Sequence, residues 1–174
     1  PSAARYAALL QSAYAALHAA DPTSTVLAAA LAPTVETGPD NLSDLLYLQQ
    51  LYDLGAGAYF DGAAGKPYGF YTGPDDRQTG PDVLNFSRFT RLREVMVRNG
   101  DARKLLWGGN FGWNTLDSPW GKAAPEQQIA YTLRAYDVTT MRSPGERCPA
   151  DTRNTPTAST AAAPTAPRTS TTPL

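Results

Sequence analysis

The sequence predicts an α/β domain built on parallel strands, and three observations carry that expectation. Short apolar runs without helical polar spacing alternate with longer segments whose apolar residues recur every three or four positions. Each segment closes on Pro, Gly or Asn. The stretch between successive runs is long enough to hold the crossover helix that parallel strands require. With right-handed crossovers, the strands near 25–32, 59–67 and 104–110 should lie side by side in sequence order, with helices packed on one side.

Tyr6, Leu9, Leu10, Ala13, Tyr14 and Leu17 form the stripe of an amphipathic helix that Asp21-Pro22 ends. Thr25 to Ala32, bounded by Pro22 and Pro33, reads as a strand buried on both faces. Asn41 or Ser43 can cap a second helix carrying Leu45, Leu48 and Tyr52, with Gly55 as its stop. Tyr59 to Gly69 reads as a strand weakened by Gly62 and Gly65. After a Gly-, Pro- and Asp-rich loop, a third helix carries Phe89, Leu92 and Met96 and ends at Asn99-Gly100. Glu94 and Arg98 are spaced to pair on it. The strand at Leu105 follows, and a last helix opens at Pro125-Glu126 with Ile129, Leu133 and Tyr136 expected inward. Residues 1–142 form the folded part. Residues 143–174, rich in Pro, Thr, Ala and Ser and without apolar periodicity, are expected to be disordered.

Fifteen Lys and Arg against 16 Asp and Glu give a net charge of -1, which offers no footprint for nucleic acid or an anionic membrane and suits a neutral partner. No apolar run is long enough to span a bilayer. Any export signal would lie upstream of Pro1, so the compartment is left open, an extracellular one included. Cys148 is the only cysteine and His18 the only histidine, which excludes an intrachain disulfide, a thiolate zinc cluster, a histidine triad and a multi-histidine metal site. The chain has no phosphate-cradling glycine motif, and no cofactor is expected.

The stretch Leu105-Leu106-Trp107-Gly108-Gly109-Asn110-Phe111-Gly112-Trp113-Asn114 joins an apolar strand to a polar residue flanked by two indoles, and Lys66-Pro67-Tyr68-Gly69 ends the strand before it. These resemble the seventh strand and the end of the sixth in retaining glycoside hydrolases of the (β/α)8-barrel clan, cellulase- and xylosidase-like. There the seventh strand reads apolar-W-x-x-E-F-G-W, and its Glu is the nucleophile; the sixth ends His-Pro-Tyr-Gly. Asn110 takes the place of that Glu, and Lys66 that of the His. The resemblance covers roughly residues 4–138, from the helix after strand four to the helix after strand seven. It implies a partial (β/α)8 TIM-barrel fragment, since a full barrel needs about 250 residues. Its partners would be an oligo- or polysaccharide and the missing half of the barrel.

The resemblance also assigns positions. Asn110 would stand at the nucleophile position, with the Tyr68 hydroxyl approaching it. Trp113, just past the strand end, would stack a sugar ring, because pyranoses present apolar C–H faces to indoles. Trp107 shares that side only if the strand stays regular, and core packing is its competing role. Lys66 would add a cation near the site, and Glu36, after the first strand, a carboxylate on the face where barrel sites form. Asp75-Asp76 lie in a loop on the same face, Asp61 at the opposite, stabilising one. Retaining hydrolysis needs two carboxylates about 5–5.5 Å apart. The family's acid/base Glu lies in an Asn-Glu-Pro motif just before the region covered here, and an amide at Asn110 cannot form a glycosyl ester. This chain alone is therefore expected to be inactive. Two alternatives stay open: a noncatalytic carbohydrate-binding or structural barrel, and an unrelated flavodoxin-like α/β domain.

Overall fold

Residues 2–140 are described by the structure, a computed structural model, and the tail at 143–174 lies outside the described residues. The elements run α1 (Ala3–Ala20), α2 (Asp44–Asp53), β1 (Gly62–Gly65), α3 (Phe89–Arg98), β2 (Leu105–Gly108) and α4 (Pro125–Thr140), with 3-10 turns at Ala56–Tyr59 and Phe86–Arg88. β1 and β2 pair in parallel, Gly62 opposite Leu105 through Gly65 opposite Gly108. The extended segment 26–31 joins the other edge of β1 through parallel bridges at Leu27–Gly62 and Leu31–Gly65. The domain is thus α/β, with three parallel segments side by side in sequence order, as the sequence predicts.

Along 26–31 the alternation places Val26 and Ala28 in the core and leaves Leu27 and Ala29 exposed. The bridges show one extra residue here, because four residues on this segment span three on β1. Leu31 rather than Ala30 donates its amide to the Ala64 carbonyl, at 3.1 Å. That bulge returns Leu31 to the helix side, where it packs against the core. The Tyr6 hydroxyl accepts the outward-pointing Ala29 amide at 2.6 Å.

One core holds the helix side: Leu10, Leu48, Leu51, Phe60, Ala63, Leu92, Val95 and Met96 are buried together, joining α1, α2 and α3 to a single face of the sheet. On the other face Leu27 and Leu105 are exposed and Trp107 is half-buried. A second cluster of Phe86, Trp113, Ala123, Ala135 and Val138 seats α4 on the loops after the strands.

Helix ends follow local chemistry. Ser2 caps α1 by accepting the Arg5 amide, Gly55 lies just past the end of α2 at φ 73°, and Asn99 closes α3 ahead of Gly100. Helix faces depart from expectation. On α1 the inward side is Ala3, Tyr6, Ala7, Leu10 and Tyr14, while Leu9 and Leu17 are exposed. On α4 Ala135 and Val138 are buried, and Ile129, Leu133 and Tyr136 are each more than half exposed. On α1 the expected stripe thus holds at Tyr6, Leu10 and Tyr14 and shifts toward Ala3 and Ala7, while on α4 packing selects the face of Ala135 and Val138, where a small alanine lets the neighbour approach closely. Glu94 pairs with Arg91 at 2.7 Å instead of with Arg98. No helix among the described residues is long and apolar enough to cross a membrane.

Candidate functional site

Because the strands are parallel, the loops after 26–31, β1 and β2 emerge at one end of the sheet. The ladder between β1 and β2 breaks there for a covalent reason. The Gly109 amide donates to the Gly65 carbonyl at 2.8 Å, and the next rung needs an N–H from residue 67, which is Pro67. Pairing resumes at Tyr68–Gly112, with three steps from Gly65 to Tyr68 facing four from Gly108 to Gly112. The extra residue is a bulge across 109–111 with Asn110 at its centre, and such bulges re-aim side chains at strand ends.

Asn110 is exposed and makes no side-chain hydrogen bond among the described residues. Tyr68 and Lys66 are half-buried on the neighbouring strand end, and the Lys66 amide donates to the Leu31 carbonyl at 2.9 Å. Glu36 is exposed in the loop after 26–31, where its carboxylate accepts the Asn41 side-chain amide at 2.9 Å. The bridged backbone therefore brings Asn110, Tyr68 and Lys66 to one end of the sheet. An open hollow of about 300 Å³, lined by Tyr6, Ala29, Thr34, Asn41, Asp44 and Tyr47, lies along the outer edge of 26–31.

The indole expected to stack a sugar is the more deeply buried of the two. Trp113 is buried: its indole N–H donates to the Thr72 carbonyl at 2.7 Å, and its ring stacks on Phe86 at 5.8 Å and meets Tyr131 at 5.3 Å. Gly69 is required beneath it, since an added Cβ would lie 1.8 Å from the indole nitrogen. Trp107 is half-buried on the sheet face away from the helices. Asp75 is held by Arg134 at 2.8 Å; those hydrogen bonds keep its carboxyl below the ordinary carboxylate range.

Beyond the strand ends, the loops after β1 and β2 are fastened to each other. The Tyr71 hydroxyl donates to the Pro119 carbonyl. Gly121, at φ 106°, lies so close that an added Cβ would be 2.4 Å from the Phe70 carbonyl oxygen. Phe70 itself has φ 54°, positive for a non-glycine residue, a conformation costing about 1–3 kcal/mol that surrounding contacts must hold. The Phe70 ring meets Tyr68 and Trp120, each in edge geometry at 6.4 Å. Tyr71 and Trp120 are largely exposed.

Sequence reasoning missed what anchors these loops. Arg88 and Asp44 form a buried ion pair at 2.7 Å, each about 2% exposed. The same guanidinium donates to the carbonyls of Thr34, Pro81 and Val83, tying the loop after 26–31 to the loop before α3. The signal was an arginine immediately before a helix, where the positive dipole end disfavours a cation unless a partner holds it.

At the opposite end of the sheet, polar groups pair among themselves. The Asp61 carboxylate, just before β1, accepts the Val26 amide at 2.7 Å and the Tyr14 hydroxyl at 3.2 Å, and lies 3.3 Å from His18. His18, the only histidine of the sequence, is thus brought to this strand end. Partial burial pushes the Asp61 carboxyl up, but the Val26 amide, Tyr14 and His18 outweigh it and hold the group below its ordinary value. Burial, then the hydrogen bond to Asp101 at 2.8 Å, push the Tyr52 hydroxyl well above its ordinary value. Asp101 also pairs with Lys104 at 2.8 Å. Among the described residues, no group of three His, Cys, Asp or Glu side chains is placed to hold a metal ion. Comparison with protein-family models, curated proteins and solved structures finds no match for this chain.

Proposed function

We propose that this chain is the strand-five-to-seven portion of a glycoside-hydrolase-like (β/α)8 barrel that recognises carbohydrate at the ends of its strands without cleaving it. One observation carries the reading over a flavodoxin-like alternative. α1, α2 and α3 pack on a single face of strands that lie in sequence order, as in a barrel wall, whereas a doubly wound sheet has helices on both faces. The W-x-x-N-F-G-W and K-P-Y-G stretches that resemble the family also belong to neighbouring strand ends, joined at Tyr68–Gly112. An exposed amide at Asn110 can hydrogen-bond a sugar hydroxyl, as donor and acceptor, but cannot serve as a covalent nucleophile.

The test is calorimetric titration of the 174-residue chain with cellohexaose, xylohexaose and mannohexaose, beside assays with the corresponding nitrophenyl glycosides. Binding without nitrophenol release is expected. No binding to any of the three would reject carbohydrate recognition, and nitrophenol release that survives Asn110→Ala would reject a noncatalytic role.

A further inference from the structure

The geometry points to a stacking subsite for a neutral pyranose ring on the fastened loops 68–71 and 118–121, with Trp120 as its platform; this rests on the carbohydrate reading above. Trp113, the indole that resemblance would choose, has its N–H and ring engaged inside the second core cluster. Trp120 differs in its exposure and in its free N–H. The residue is 58% exposed, and its indole N–H makes no hydrogen bond among the described residues, so it is open to a sugar hydroxyl.

The platform is built in advance of any ligand. The Trp120 amide donates to the Ser118 hydroxyl at 3.1 Å, Gly121 is pressed on the Phe70 carbonyl, and Tyr71 is bonded to Pro119. Phe70 meets the indole at 6.4 Å from a positive-φ backbone, a conformation that needs a reason to persist. Tyr68, Phe70 and Trp120 thus form a row of successive ring contacts that begins at the strand end Tyr68 shares with Gly112. A ligand that meets this row needs an apolar face and a polar edge. It should also be uncharged, because Lys122, two residues from Trp120, is already paired with Asp117 at 2.8 Å. A pyranose meets both conditions.

The test uses whichever of the three hexaoses binds the 174-residue chain best, titrated into Trp120→Ala, Trp120→Phe and Leu133→Ala. Trp120→Ala should weaken binding about tenfold or more, the size expected for truncating an exposed aromatic anchor. Trp120→Phe should recover most of that affinity, and Leu133→Ala, exposed on α4, should bind as wild type. Acrylamide quenching of the wild-type indoles should fall on adding sugar, and this ligand-dependent protection should vanish in Trp120→Phe; this readout does not depend on the alanine variant folding. Wild-type affinity in Trp120→Ala would overturn the subsite while leaving carbohydrate recognition standing. Failure of the wild type to bind any hexaose would overturn both.

Discussion

The two ends of the parallel sheet spend their polar groups differently. Where the strands begin, carboxylates are used up inside the fold: Asp61 holds Val26, Tyr14 and His18, and Asp101 holds Tyr52 and Lys104. Where they finish, Pro67 stops the ladder, a bulge turns Asn110 out to solvent, and aromatic rings stand exposed on fastened loops. The contrast teaches that a shared sheet can close its polar groups on one another at one end and leave side chains free of partners at the other, because parallel strands send every following loop the same way. It also locates the cost. The finish end is shaped by a strained Phe70 and by a buried ion pair, neither of which the start end needs.

The largest expected effect breaks the finish end from beneath. Asp44→Ala leaves the Arg88 guanidinium buried without its carboxylate, which should cost about 3–5 kcal/mol in urea unfolding. A loss under about 1 kcal/mol would mean that the loops do not depend on this pair. Next in size is Gly69→Ala, whose methyl group collides with the Trp113 indole. Overpacking of this kind costs about 1–3 kcal/mol, and near-ultraviolet circular dichroism should report the displaced ring. Unchanged spectra and stability would show that the second cluster repacks freely.

The start end answers to acid. Because Asp61 is held below its ordinary value, its contribution to stability is complete above the unfolded pKa of about 4 and is lost as pH falls through the folded one. Asp61→Asn should therefore lower the melting temperature at neutral pH and flatten its decline below about pH 4. An acid limb as steep as that of wild type would place the titrating group elsewhere. The smallest effect belongs to Asn110→Ala, which should change stability by less than about 0.5 kcal/mol, as for an exposed side chain without partners. A larger loss would make Asn110 part of the fold and remove it from the candidate site.

How much of this was legible in the sequence depends on how local the chemistry is. Gly55, Asn99-Gly100 and Pro125 marked helix ends through backbone requirements that need no neighbour, and the order of the parallel segments followed from their spacing. Pro67 carried the ladder break in plain view, although its effect on Asn110 depends on which residue it faces across the sheet. Helix faces were not local. On α1 the stripe was right at Tyr6, Leu10 and Tyr14 and wrong at Leu9 and Leu17, and on α4 Ile129 and Leu133 face out while Ala135 and Val138 pack, because tertiary packing chose the face of closest approach. Arg88 and Asp44 lie 44 positions apart, and nothing in either neighbourhood names the other. For the same reason Trp113 and Trp120 could not be ranked in advance: whether an indole is ligand platform or core is decided by what Phe86, Thr72 and Phe70 place around it.

The contrast between the two ends is tested most directly by amide shift mapping of the isotope-labelled 174-residue chain during titration with cellohexaose, xylohexaose or mannohexaose. Shifts confined to residues 66–71, 109–112 and 118–121, with Asp61 and the 101–104 turn unmoved, are the result predicted here. Shifts centred on Asp61, His18 and Asp101, or none with any of the three sugars, would contradict it.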